Sequence, residues 1–481
     1  MAAEESQVLV KFITKLPPHL RVPETPVAVP ASLRRYGLSQ VINHLLALDA
    51  PRPFDFLVSG QLLRSSLEAH LLLAGLSAES TLEVEYVPAV VPPRHRSSAP
   101  HDDWVSSVDG SRAGPSPSPS APGTGLLVSG SYDGLVRLWN GELQAVASVS
   151  AHAGGVTSVR MLPSSHGDLL LTAGKDRAVR LWRLEHPGSK APSLALLASY
   201  AAHTDSVEAA VPSPSGSRVA SSGWDGRVLV WDSGRAVADA ADEAAAAGGG
   251  GGEDGRKKKR RVGGGGGAAE GGGGGLTVSE PAAELRGHLH CVSCLAWPEE
   301  GALFSGGWDH SVRRWDVSSG TVADSHHGSK AVLALASHPA APSVVAFSGA
   351  DRAIRLWDAR APPSASGAMA VSVVGEHPGW VAALAWAPAS QHHLASAGYE
   401  GAVKLWDVRG RVPLATLEGH TGKALCVGWL GGAGAGGKKG EAGAGAGPMG
   451  GLGGIVSGGA DCALRVYDRE GEAEGERNAR G

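Results

Sequence analysis

The sequence predicts a mainly β protein, a seven-bladed propeller led by a small α+β module, and three observations carry that prediction. One unit recurs seven times along the chain, and every copy sets an acid six residues before an aromatic. The closing aromatics are spaced by 43, 49, 84, 42, 49 and 61 residues, about the length of a four-stranded blade wherever no glycine tract intervenes. Residues 7 to 87 follow a different grammar, in which strand alternation gives way to one stretch of helical spacing.

The repeat reads SGSYDGLVRLWN at 129–140, TAGKDRAVRLWR at 172–183, SSGWDGRVLVWD at 221–232, SGGWDHSVRRWD at 305–316, FSGADRAIRLWD at 347–358, SAGYEGAVKLWD at 396–407 and SGGADCALRVYD at 457–468. Its acid and aromatic pairs are Asp133/Trp139, Asp176/Trp182, Asp225/Trp231, Asp309/Trp315, Asp351/Trp357, Glu400/Trp406 and Asp461/Tyr467. Between the two, apolar and polar residues alternate, so each copy is a β-hairpin with a tight turn at its acid. Closing seven such blades into a ring removes exposed sheet edges. The last copy ends without room for an outer strand, so Leu82 to Val91, or residues just after, must supply one.

A histidine precedes each hairpin, four residues before a small or branched apolar residue: His101, His152, His203, His288, His327, His377 and His420. A Ser or Thr stands four residues before the acid in six copies, but Ser348 stands three before it. Histidine, hydroxyl, acid and aromatic together resemble the buried hydrogen-bonded chain of a WD40 repeat. A buried carboxylate and imidazole are costly unless partnered, and once satisfied they fix one strand register. Repeat five is expected to lack the full chain.

In the leading module, Gln7 to Lys15 and Pro26 to Pro30 read as strands, LSQVINHLLAL (38–48) as a helix, and FDFLV and TLEVEYV as two more strands. Strand, strand, helix, strand, strand within about eighty residues suits a ubiquitin-like fold. The expected division is therefore a ubiquitin-like domain at 1–92 and a propeller at 93–470. Disordered insertions are expected at 233–281 and 431–454, and a disordered tail at 471–481.

A net charge of -4 and pI near 6.6 give no global attraction to nucleic acid or membrane. Four cysteines are too few for a disulfide scaffold, and the leading residues lack a secretory pattern, which points to a reducing compartment. No apolar run approaches the eighteen residues of a membrane span, so no membrane association is expected. Cys291 and Cys294 form a CxxC without a second pair at ligand spacing, which reads as structural rather than zinc-binding. No phosphate-cradling loop, nucleophile elbow or isolated carboxylate pair is present, so neither an enzyme nor a cofactor is expected.

The phrases LRRYGLSQVINHLLALDAPRPFDFLVSGQLLRSSLEAHL, GLSAESTLEVEYV and HDDWVSSV, followed by seven WD repeats with an insertion after the third, resemble the WD-repeat ribosome-biogenesis factors that partner Pescadillo. The resemblance spans Gln7 to Asp468. It implies a non-catalytic scaffold on preribosomal particles of the large (60S) subunit, bound to Pescadillo and the block-of-proliferation protein and acting in nucleolus and nucleoplasm. It also implies removal by the midasin ATPase, whose divalent ion takes a single carboxylate from the ubiquitin-like domain. The GLSAE phrase assigns that carboxylate to Glu79, with Asp55 and Glu68 as the remaining acidic candidates; a hard cation with an open site favours oxygen. The Notchless-type factors share this architecture with one more blade, so the count of seven separates them.

The residue before each blade acid lies, in WD propellers, on the face where blade-joining loops gather. Here it is Tyr132, Lys175, Trp224, Trp308, Ala350, Tyr399 and Ala460. Exposed aromatics anchor interfaces, which makes Tyr132, Trp224, Trp308 and Tyr399 the expected partner-binding surface. Trp104 and Trp380, each just before the valine that follows a blade histidine, extend it. Both long insertions fall where the family places its opposite face. Arg256, Lys257, Lys258, Lys259, Arg260 and Arg261 form a basic run in a glycine-rich loop, which resembles a nuclear import signal and could touch rRNA phosphates. Two other readings compete: a WD40 substrate receptor or adaptor in the ubiquitin pathway, and a propeller hydrolase, which would need polar residues converging on the central channel.

Overall fold

The computed structural model describes residues 6–48, 50–75, 81–111, 126–162, 168–185, 192–235, 237–238, 275–361, 371–431 and 453–468. Glu79, the basic run 256–261 and the tail 471–481 lie outside the described residues.

The leading module is a five-stranded sheet with two helices. Strands β1 (Gln7–Ile13), β2 (Val27–Pro30), β3 (Phe54–Val58), β4 (Gln61–Leu62) and β5 (Leu82–Pro88) lie in the order β2-β1-β5-β3-β4, with β1 and β5 parallel. Helix α1 (Arg35–Leu46) buries Leu38 and Ile42 against Val10, Phe12, Phe54 and Phe56. This is the ubiquitin-like arrangement, with two elements beyond the expected four strands and one helix. The short β4 closes on β3, and α2 (Leu67–Ala74) starts where the Ser66 hydroxyl accepts the Ala69 N–H at 3.3 Å. Tyr86, fully buried, ties the connection between β1 and β2 to the sheet, donating to Leu20 O at 2.7 Å and accepting from Val22 N at 2.9 Å.

Seven further sheets follow the seven repeats. In blade one the strands are Val105–Asp109, Leu127–Ser131, Leu135–Trp139 and Ala145–Ser150, from the centre outward. The innermost strands stand side by side around the ring, and that of blade seven, Ala424–Trp429, returns to Val105–Asp109. Closure uses β6 (Arg94–Pro100), which pairs antiparallel with Ala463–Asp468 as the outer strand of blade seven. Of the two segments that could have supplied this strand, the later one does, because Leu82–Pro88 is committed to the module's own sheet.

Apolar alternation fills the wedges between neighbouring blades, and Trp231, Trp315, Trp357 and Trp406 are fully buried there. The residue after each blade acid has a left-handed backbone: Gly134, Arg177, Gly226, His310, Arg352, Gly401 and Cys462, with φ from 56° to 86°. That shared geometry makes the seven turns equivalent, although glycine, the residue best suited to it, occupies only three. Within 233–281, where disorder was expected, the described residues include a strand, since Leu276–Val278 joins blade two as a parallel fifth strand on Ser193–Tyr200.

The module is seated on blade six. Leu62 N–H donates to Arg409 O at 3.3 Å, Gly410 lies against the Leu62 side chain, and Val90 of the connection packs on the blade-six and blade-seven core.

Candidate functional site: blade chains and the aromatic face

In four blades a histidine, a hydroxyl, an acid and a tryptophan form an unbroken buried chain. In blade two, His152 Nδ1 meets Asp176 at 2.7 Å and its Nε2 meets Thr172 Oγ1 at 2.9 Å, while Trp182 Nε1 donates to the same oxygen at 3.0 Å. Blade three repeats this with His203, Asp225, Ser221 and Trp231, and blade four with His288, Asp309, Ser305 and Trp315. Blade six uses His377, Glu400, Ser396 and Trp406. Burial keeps His152 neutral by pushing its pKa down. Burial alone would raise Asp176, yet the His152 hydrogen bond and the Arg180 charge hold it well below the usual carboxylate range.

Three blades depart from the chain. In blade seven His420 bonds Asp461 and Ser457, each at 2.8 Å, with Tyr467 in the tryptophan's place. In blade one His101 reaches Ser129 at 2.8 Å but not Asp133, which Arg137 occupies at 2.7 Å; burial and the Arg137 charge lower His101 to about 4. Blade five requires a correction. His327 is exposed and contributes nothing to the blade, because the innermost strand begins at Val332 rather than one residue earlier. The four-residue spacing of the other blades falls on Gly328, and the hydroxyl's place is taken by Phe347. Ser348 instead donates to Ala353 O at 2.7 Å, and Asp351 pairs with Arg355.

The six predicted aromatics come together on one face. Trp104, Trp224, Trp308 and Trp380 are between 40% and 49% exposed, high for tryptophan in a folded chain. They pair off: Trp224 with Trp308 across blades three and four at 5.7 Å, Trp104 with Tyr132 in blade one at 6.1 Å, and Trp380 stacked on Tyr399 in blade six at 5.7 Å. Backbone hydrogen bonds hold the last two pairs, from Tyr132 N to Trp104 O at 3.0 Å and from Tyr399 N to Trp380 O at 2.8 Å. Lys175 of blade two lies 3.9 Å over Tyr132, and Lys423 of blade seven 4.6 Å over Tyr399. Aromatic and cationic groups thus lie around the face; the turn position itself is alanine in blade five (Ala350) and in blade seven (Ala460), where Lys423 stands over Tyr399 instead.

Sequence reasoning missed Glu208 on the innermost strand of blade three. It accepts from Trp224 Nε1 at 2.6 Å. Burial raises its pKa against the pull of Trp224 and Lys175, and its charge in turn helps burial raise Tyr399 and push Tyr132 up to about 12. A lone glutamate in a strand carries no motif, so only the assembled ring reveals it. Asp55, one of the alternative acids of the module, is buried and paired with Arg35 at 2.6 Å, which removes it as a ligand for an outside ion; Glu68 is exposed in the first turn of α2. Among the described residues no group of three or more His, Cys, Asp or Glu side chains could hold a metal, and no helix is long and apolar enough to cross a membrane.

Fold and surface together define a WD-repeat propeller protein with a ubiquitin-like leading module and a face lined by exposed aromatics. The sequence model of the NLE (NUC135) domain matches residues 8–71. That of the WD domain, G-beta repeat, matches 95–140, 143–183, 194–232, 279–316, 320–358 and 370–407. A ribosome biogenesis protein WDR12 homolog of Chlamydomonas reinhardtii is 60% identical over 470 residues, covering 97% of this chain and 99% of its own length. The WDR12 homolog of Oryza sativa subsp. japonica is 35% identical over 88% of this chain and 92% of its own. Ribosome biogenesis protein ytm1 of Neosartorya fischeri is 35% identical over 76% and 75%. The chain belongs to the WDR12/Ytm1 family of ribosome biogenesis proteins.

Proposed function

We propose that the chain is a non-catalytic assembly factor for the large (60S) ribosomal subunit, acting in pre-rRNA processing in the nucleolus and nucleoplasm. The observation that carries this reading is the end-to-end match to a relative named for ribosome biogenesis, through both the leading module and the propeller. The aromatic face supports a scaffolding role, since exposed tryptophans held rigidly on a ring are the residue type that anchors interfaces. On this reading the face and the rest of the propeller hold Pescadillo and the block-of-proliferation protein on the preribosomal particle. The module serves the midasin ATPase, with Glu79 as the carboxylate offered to midasin's ion, and the basic run 256–261 directs nuclear import. The test is a Glu79→Ala chain expressed in place of the wild type. It should enter large-subunit precursors and remain on them, accumulating late particles that carry the factor. Normal release would overturn the assignment of Glu79, and association with proteasome or ubiquitin-ligase subunits instead of ribosomal precursors would overturn the function.

A further inference from the structure

Blade five holds a cavity where other blades hold an imidazole. Its volume is about 70 Å³, several times what one water requires. The walls include His326, Gly328, Phe347, Asp351 and Arg355. Its origin is legible residue by residue. Gly328 stands four residues before the innermost strand, the position of His152, His203, His288, His377 and His420 in their blades. A Cβ built on Gly328 meets nothing nearer than 3.5 Å, so the space for a side chain exists and is unused. His326 does not fill it in the manner of the other histidines. Its ring packs at 5.4 Å on Phe347 and at 6.5 Å on Trp357, against 5.2 to 6.1 Å between His101, His288 and His377 and the tryptophans of their blades, but among the described residues it makes no hydrogen bond to Asp351. Two polar groups record the loss. Trp357 Nε1 is fully buried without a hydrogen-bond partner, and among the described residues Asp351 has Arg355 as its one hydrogen-bonding partner, where Asp176 has both Arg180 and His152.

We propose that this cavity is a binding site for an imidazole, supplied as a histidine side chain of a docked partner, which completes blade five in trans by bonding Asp351 and packing on Phe347. The chemistry of the lining matches. A carboxylate that takes an imidazole N–H at 2.7 to 2.9 Å in blades two, three, four and seven is free to do so here, and the aromatic wall suits a flat ring. The place matches as well. The cavity lies beside the turn that carries Ala350, whose N–H donates to Ala331 O at 3.0 Å, and blade five has alanine both at this turn and just before its innermost strand, where blade seven has Ala460 but also Lys423. The identity of the donor as a partner's histidine rests on the reading of this face as a docking surface; the affinity of the site for imidazole does not.

The probe is imidazole itself, titrated into the full-length chain and followed by ligand-observed NMR, with melting temperature as a second readout. The expected result is saturable binding in the millimolar range, with at least a tenfold loss in the G328H/F347S double variant, which restores the chain within the blade, and in D351N. The double variant should also melt higher than wild type and no longer respond to imidazole. Unsaturable binding to the wild type, or equal binding by wild type and D351N, would overturn the site and leave a water-filled gap. Trp224→Ala with Trp308→Ala should leave imidazole binding unchanged while releasing the partner, which separates failure of the cavity from failure of the docking face.

Discussion

Replacing Ser221 with alanine tests how much of the propeller's stability is held in the buried chains. Its hydroxyl accepts from Trp231 Nε1 at 2.9 Å and meets His203 Nε2 at 2.8 Å, inside a wedge where Trp231 is 0% and His203 7% exposed. Alanine keeps the Cβ and leaves no cavity larger than the lost oxygen, so the cost is that of two buried polar groups without partners. Each such group costs roughly 1–3 kcal/mol, which gives about 2–6 kcal/mol for the pair. Ser348→Ala is the internal control, since that hydroxyl donates only to Ala353 O and the tryptophan of its blade already lacks a partner. Its cost should stay near 0.5–1.5 kcal/mol, the net value of one ordinary hydrogen bond. Scanning calorimetry and urea unfolding of wild type and both variants measure the difference, and hydrogen exchange in Val228–Asp232 localises it to blade three. If Ser221→Ala cost no more than Ser348→Ala, the chains would be decoration on an apolar core, and the reasoning would fail.

Glu208→Gln should stabilise the protein near neutral pH. Burial raises the folded pKa of Glu208, so its protonated carboxyl favours the folded state, an advantage fully present below the unfolded value of about 4.3 and lost as pH rises through the folded value; a melting profile in which the Gln variant did not gain on wild type over that rise would refute this. Asp309 has the opposite sign: held below its unfolded value of about 3.9 against its own burial by His288 and Ser311, it stabilises above that value and loses the contribution as pH falls, so Asp309→Asn should flatten the acid limb of the same profile. Leu62→Glu should unseat the module from blade six without unfolding either part, read as faster proteolysis within residues 89–93 and a larger radius of gyration; an unchanged digestion pattern would show that the Leu62 contact does not hold the module.

The propeller was legible because its signal is carried in register. An acid six residues before an aromatic, with alternation between, specifies a hairpin whatever the rest of the blade contains; the same count picked out Tyr132, Trp224, Trp308 and Tyr399, while Trp104 and Trp380 followed from the histidine spacing. Blade five was misread by one residue because His326 and His327 lie next to the diagnostic position, while Gly328, which occupies it, carries no side chain to announce the loss. The closure strand was hard to see for a different reason. Arg94–Pro100 reads RHRSSAP, with no apolar alternation, and it is a strand because Ala463–Asp468 offers an open edge. Helix α2 escaped because LEAHLLLA is apolar on more than one face, so no helical stripe separates from its background; its Ser66 and Gly75 caps were the available signal. Glu208 needed three dimensions, since the charged and phenolic groups it acts on and answers to come from blades one, two and six as well as its own.

The most direct measurement of the central claim purifies the tagged full-length chain from its own cells, as wild type and as a variant with Trp224 and Trp308 both changed to alanine, and quantifies the large-subunit precursor rRNA each brings down. With melting temperatures matched, the wild type should carry the precursors, and the variant at least tenfold less. Equal recovery by the two would contradict the assignment of the aromatic face as the surface that holds this protein in the preribosome.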